Sequence, residues 1–302
     1  MSVLAIVAAL LLEQWRPLGD RKVYLDVLAH WVSRIESAFN AGESRHGIVA
    51  WVVAVVPATV LAVVLHVLLA RVHPLLAMLF DVGALYLTLG FRQFSHFFTE
   101  IQAAVRIGDL DRARETIGAW RGHTAALRSR EEVIRLAIEE ALLASHRHVF
   151  GVLLWYIILP GPSGAILYRL AAYLARRWGA LGAFGEFSKK LFFVLEWPAT
   201  RLTAIAFAIV GDFEDAIYCW RTQSRNWADA NAGIILAAGA GAMGVRLGMP
   251  VQEVEGMEPR PELGVGDAAD GPFLDSTVGL LWRALVLWVF VLILLSLARL
   301  IG

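Results

Sequence analysis

The chain has 302 residues, 58% hydrophobic and 18% charged, with a mean hydropathy of +0.61; soluble domains carry roughly 45–50% apolar and about 25% charged residues, so an ordinary soluble enzyme and a disordered chain are both excluded. Lysine plus arginine and aspartate plus glutamate number 27 each, which leaves no basic excess to hold nucleic acid. The single cysteine, Cys219, excludes an intrachain disulfide framework and a cysteine-based zinc centre.

In chain order, Ser2–Leu12 is apolar, with no lysine or arginine before it and Glu13-Gln14-Trp15-Arg16 after it. It reads as a retained hydrophobic helix and not a cleaved leader. A spanning helix needs about 20 mainly apolar residues. Gly47–Leu69 meets that need, and Pro74–Phe91 follows after the turn Ala70–His73. The last clear span is Val278–Leu297. Lys189–Val210 is long enough but carries Glu196, Pro198 and Arg201, and Asn231–Val245 is short. Val149–Ala175 splits at Pro160-Gly161-Pro162-Ser163-Gly164 into halves too short to span, which predicts a re-entrant or interfacial hairpin.

The 92–148 segment holds Arg92, Arg106, Arg112, Arg114, Arg121, Arg128, Arg130, Arg135 and Arg147, and the 13–46 segment is basic too, while the 70–73 turn has only Arg71. Positive residues mark the cytoplasmic side, so 92–148 is expected there as a helical insertion. Phe94, Phe97, Phe98, Ile101 and Val105 recur at helical spacing; Gly108-Asp109 breaks that helix, and Ser129-Arg130-Glu131-Glu132 is a capping box opening another. The 211–277 segment is acidic and of undecided side, and 252–276 reads as a loop. No stretch alternates and no repeat is present. The expectation is an all-α, polytopic integral membrane protein: one membrane domain over 1–302, lying in the bilayer.

Four features can carry chemistry. Asp81 is an intramembrane acid; at about 1.5 Å per residue its depth from the turn differs from that of His66 by only roughly 5 Å, so the two can pair. Glu196-Trp197-Pro198-Ala199-Thr200-Arg201 interrupts an apolar run, and Pro198 frees the carbonyl of Val194. Arg201 then either faces a polar cavity, with Arg246, as a fork for phosphate or carboxylate, or pairs with Glu196. His146-Arg147-His148 reads as a basic collar, since residues two apart on a helix cannot chelate one ion. Gly239-Ala240-Gly241-Ala242-Met243-Gly244 fits G-x-G-x-x-G only formally; no strand context or following acid supports a dinucleotide site, and close helix packing is the better account. No metal site is expected.

Three stretches resemble the CobD/CbiB family of membrane proteins, whose characterised members are adenosylcobinamide-phosphate synthases. They are Gly108-Asp109-Leu110-Asp111-Arg112-Ala113-Arg114; Trp197-Pro198-Ala199-Thr200-Arg201-Leu202, a loose match to a W-x-P-A-R-L run; and Ser224-Arg225-Asn226 with Ala240-Gly241-Ala242-Met243-Gly244-Val245-Arg246-Leu247-Gly248, near S-P-N and G-A-L-G-V-R-L-G. The resemblance implies a multi-pass protein of the bacterial inner membrane that joins a corrinoid carboxylate to aminopropanol phosphate. Arg201, Arg246, Asn226, Arg112 and Arg114 would hold anions. ATP and Mg²⁺ would be needed, with Asp109 and Asp111 as the nearest acids. Ala144–Gly151 and Ala171–Arg177 stand where synthases carry E-N-x-x-D-G and N-T-x-D-S-M runs. There the chain is more similar to the related AmpE proteins, which implies the alternative of a non-catalytic membrane modulator or sensor linked to β-lactamase induction.

Overall fold

The computed structural model describes residues 2–15, 22–122, 129–253 and 256–301. Arg16 and Arg128, named above, lie outside them, as do Arg21 and Glu255. Thirteen α-helices are present among the described residues, and the protein is an all-α polytopic membrane protein. Four helical runs are long and apolar enough to cross a membrane: Ser44–Val72, Arg130–Ile158, Gly182–Val210 and Gly271–Ala298. On the first, Val52, Val56, Val60, Leu61, Val64 and Leu68 are all exposed. A water-soluble surface would not carry such a stripe, and lipid accounts for it.

Two boundaries differ from the sequence expectation. The segment expected to span as Pro74–Phe91 is a helix of only 15 residues, Pro74–Thr88, because Leu89 is extended (φ −65°, ψ 148°). At about 1.5 Å per residue it falls short of the roughly 30 Å apolar core of a bilayer. Conversely, the first limb expected to begin at Val149 belongs to the run Arg130–Ile158, because a π-helical turn over His146–Phe150 bridges the expected break.

The chain divides into two compact units, Met1–Gly90 with Gly151–Trp197, and Phe91–Phe150 with Pro198–Gly302. In the first, α1 (Ser2–Trp15), α2 (Lys22–Phe39), α3 (Ser44–Val72) and α4 (Pro74–Thr88) join α8 (Gly151–Ile158), α9 (Ser163–Trp178) and the start of α10 (Gly182–Val210). The core gathers Val32, Ile35, Trp51, Val55, Leu174, Trp178 and Phe184 from α2, α3, α9 and α10. The α8–α9 hairpin forms as the Pro-Gly punctuation predicts. It closes tightly because Gly164 lies on the backbone of Trp155, where a Cβ would strike the carbonyl.

The second unit holds α5 (Phe91–Ile107), α6 (Leu110–Arg121), α7 (Arg130–Ser145), the end of α10, α11 (Phe213–Gln223), α12 (Ala230–Met243) and α13 (Gly271–Ile301). The 252–276 stretch is not all loop. Short strands β1 (Val245–Gly248), β2 (Val251–Glu253), β3 (Gly256–Glu258), β4 (Glu262–Leu263) and β5 (Asp267–Ala268) precede α13, which starts at Gly271. β1 runs antiparallel to β4 and parallel to β5, and β2 pairs with β3.

The Gly/Ala run of α12 is a packing surface. Gly241 abuts the Asp215 carbonyl of α11, Gly233 that of Ser224, and Gly239 the Leu142 side chain. Gly244 ends the helix in the left-handed conformation (φ 68°), capping Ala240 and Gly241. Gly241→Ala is expected to destabilise by about 1–3 kcal/mol, since neither backbone has room to yield. Gly279→Ala in α13, where a Cβ meets nothing within 4 Å, is expected instead to gain about 0.5–1 kcal/mol of helix stability. Melting of the two variants in detergent reads the difference, and equal shifts would refute the packing role.

Candidate functional site

Two polar clusters are built into apolar surroundings, one per unit. In the first, Asp81 on α4 is buried and uses both carboxylate oxygens. His66 Nδ1 on α3 lies 2.8 Å from Oδ1, and the Tyr156 hydroxyl of α8 donates to Oδ2 at 3.0 Å. Gly161, in the Pro-Gly turn, lies against the His66 ring, leaving no room for a Cβ. The pairing expected from depth is present, and Tyr156 is an added partner. The same unit shows what becomes of the backbone near Pro198: the Trp155 indole donates to the Leu195 carbonyl at 3.0 Å. A side chain satisfies that carbonyl. Glu196 is buried.

The second cluster gathers where α10, the π-turn and the head of α12 meet. His146 is buried and not part of a collar; its chain neighbours bring it onto α10. Thr203 spends its proton on the Ala199 carbonyl (2.9 Å), so it accepts from His146 Nδ1 (3.1 Å), and Thr200 donates to Nε2 (3.3 Å). Arg201 Nη1 reaches Asn231 Oδ1 at 3.5 Å. Asp229 caps α12 by accepting from the backbone N–H of Asn231 and Ala232, and Arg147 approaches it at 3.4 Å. Two arginines, a buried amide and a helix N-terminus thus lie close together. Fork-type donors and N-terminal N–H groups both favour an anion.

The remaining sequence candidates are dispersed. Arg246 pairs with Glu262 at 3.6 Å on the strand edge, a different partner from that of Arg201. Asn226 is exposed in the short 3₁₀ turn Ser224–Asn226. Arg112 binds Glu100 (2.9 Å) and Arg114 binds Asp111 (2.8 Å). Asp109 caps α6 by accepting from the Arg112 N–H. Both acids named for Mg²⁺ are therefore engaged locally, and among the described residues no three His, Cys, Asp or Glu side chains gather into a group that could hold a metal ion.

Sequence reasoning missed a buried ion pair. Glu139 on α7 accepts from the Gly248 backbone N–H at 2.8 Å and pairs with Arg260, whose guanidinium stacks 4.7 Å over Trp227. A charge four residues from Arg135 amid Ile134, Leu136 and Ile138 was the available signal. His146, Thr200, Thr203, Asp229 and Asn231 were also missed, since only folding brings them together.

The comparisons with known proteins agree with one another. The family model described as CobD/Cbib protein matches residues 6–281. A cobalamin biosynthesis protein CobD of Stutzerimonas stutzeri is 33% identical over 302 residues, covering 97% of this chain and 98% of its own length. One of the same name from Chromobacterium violaceum is 35% identical over 224 residues, 73% of this chain and 71% of its own. No solved structure matches. The family pattern thus extends through both units and both polar clusters, and the chain is a member of the CobD/CbiB family.

Proposed function

We propose that this protein acts in cobalamin biosynthesis in the bacterial inner membrane, joining a corrinoid carboxylate to aminopropanol phosphate. The observation that carries this reading is the likeness to a CobD protein over nearly the whole of both chains. The chemistry fits the polar cluster of the second unit. Condensing a carboxylate with an amine expels an oxygen, so the carboxylate must first be activated; ATP supplies this by turning that oxygen into a phosphate leaving group. Arg201, steadied by Asn231, would hold the anion and balance the negative charge developing on the reacting oxygens. Asn226, Arg246, Arg112 and Arg114 are proposed as outer contacts for the substrate's anionic groups. No step is assigned to Mg²⁺.

Purified protein, a corrinoid acid, aminopropanol phosphate and ATP test the proposal directly. Amide product is expected from the wild type. Arg201→Lys, which keeps charge but loses the fork, is expected to cut the rate about tenfold or more with its melting temperature unchanged. Corrinoid binding without product would leave a non-catalytic membrane sensor and refute the synthase reading.

Since residues 130–148 of the expected 92–148 insertion belong to the run Arg130–Ile158, we place only the arginine-rich stretch ahead of that run on the cytoplasmic side. Cys219 is fully buried, and burial together with the Asp215 charge pushes its thiol up to about 11. It stays protonated and unreactive near neutral pH. Because the folded chain holds this proton more tightly than the unfolded one, stability is expected to fall as pH rises from about 9 towards 11. A cysteine at exposed Gly122 in a Cys219→Ala background is therefore the sole reporter. It is expected to react with an impermeant maleimide only after the cells are opened; labelling in intact cells would reverse the orientation.

A further inference from the structure

Arg135 sits six residues into the helical run Arg130–Ile158 and is 4% exposed. Arginine is almost never buried to that extent unless paired. Yet among the described residues it has no carboxylate within ion-pair distance. Nη1 points at the Met249 sulfur (3.3 Å), Nη2 at the Pro250 carbonyl (3.5 Å), and Nε has no hydrogen-bond partner. A thioether is a weak acceptor, and a carbonyl at that distance is little better. The nearest acid along the helix, Glu139, is already committed to Arg260 and to the Gly248 N–H. Among the described residues, two buried guanidinium groups therefore face one buried carboxylate, and one positive charge has no partner acid.

The covering over that charge is unusual too. Met249 is the one non-glycine residue with positive φ among the described residues (φ 63°), following Gly248 at φ 76°. Gly248 ends β1 and Met249 begins the turn to β2, which is tied down by Met249 N–H donating to the Pro261 carbonyl at 3.2 Å. Non-glycine residues held there are strained, and such strain gathers at ligand sites. Met249 is half-buried and Pro250 exposed. A flexible, unbranched side chain is what separates the guanidinium from the surface.

The geometry points to an anion-binding site at this turn, where Arg135 receives a phosphate or carboxylate group in place of the Met249 sulfur, with Arg260 behind it. The inference rests on the synthase reading only for choosing an amino-alcohol phosphate as one probe. It goes beyond that reading because the Arg201 cluster does not include this turn.

The full chain, purified in zwitterionic detergent and chloride buffer, is melted against increasing inorganic phosphate, phosphoethanolamine and acetate. The wild type is expected to show a saturable rise in melting temperature. Arg135→Met replaces an uncompensated buried charge by an apolar side chain of similar length. It is expected to melt at or above the wild type without added anion and to show no rise with phosphate. Arg135→Lys is expected to respond with an apparent Kd raised about tenfold or more, for want of the fork. Lys190→Met, on an exposed surface pair, is the control and should respond as the wild type does. No rise in the wild type with any of the soluble anions and none in phosphatidylglycerol nanodiscs, or equal rises in wild type and Arg135→Met, would overturn the site. Should Arg135→Met not fold, an unchanged phosphate Kd in Arg135→Lys overturns it equally. Nanodiscs separate the sources: a rise in phosphatidylglycerol over phosphatidylcholine that Arg135→Met abolishes, with no response to soluble phosphate, keeps the site and assigns it a lipid headgroup. A phosphate response that persists where the amide assay yields no product would sink the synthase reading and leave this site standing.

Discussion

Replacing Asp81 by alanine is expected to lower the unfolding free energy by about 3–5 kcal/mol, the summed cost of leaving two hydrogen-bonded side chains without their shared partner. The effect is large because both carboxylate oxygens are in use, at 2.8 Å to His66 and 3.0 Å to Tyr156, and α3, α4 and α8 lose a common anchor together. Asp81→Ala also leaves the imidazole without its acceptor, so adding His66→Ala is expected to recover part of the loss. Tyr156→Phe removes one of the two donors and should cost less, about 1–3 kcal/mol. Unfolding midpoints in mixed detergent would show the ordering. Equal midpoints for the wild type, D81A and D81A/H66A would refute the pairing.

A loss of similar size, about 3–5 kcal/mol, is expected for Glu139→Ala. The substitution leaves Arg260 as a second uncompensated buried cation and removes the acceptor for the Gly248 N–H. Glu139→Gln keeps an oxygen for Gly248 but drops the charge, so it should lie between. The double variant Glu139→Ala/Arg260→Met removes both charges and is expected to regain most of the stability, since replacing a buried ion pair by apolar groups is often near neutral. The cycle is refuted if the two single losses simply add.

These outcomes bear on which parts of the protein its sequence discloses. The helices Ser44–Val72 and Gly271–Ala298 were legible because a stretch in contact with lipid needs no distant partner to explain it. The His66–Asp81 pair was legible because one short turn fixes the relative depth of both residues. Arg130–Ile158 was not, because Arg135, Glu139, Glu140 and Arg147 give it the look of a soluble helix. Glu139 is satisfied by Gly248 and Arg260, Glu140 by Arg121 at 3.4 Å, and Arg147 by Asp229 at 3.4 Å, contacts that a local window does not contain. The strands were hidden by their brevity and by the glycines that punctuate them; Gly244, Gly248, Gly264 and Gly266 all take positive φ, so no alternation develops. At Asp109 and Asp111 a motif drew attention to residues whose local roles are a helix cap and a surface pair.

The close crossing of α11 and α12 has a thermodynamic consequence. Their contact is backbone against backbone, through Gly241 on Asp215, and Gly211, just ahead of α11, meets Ala242 in the same way. Glycine and alanine have almost no rotamer freedom to lose when such a surface closes, and dispersion between close-packed atoms does not depend on surrounding water. The contact therefore neither gains from the bilayer's exclusion of water nor weakens when a micelle replaces the bilayer. Solubilisation will change what coats the valines and leucines of α3, while the α11–α12 crossing is held by forces indifferent to the solvent outside it.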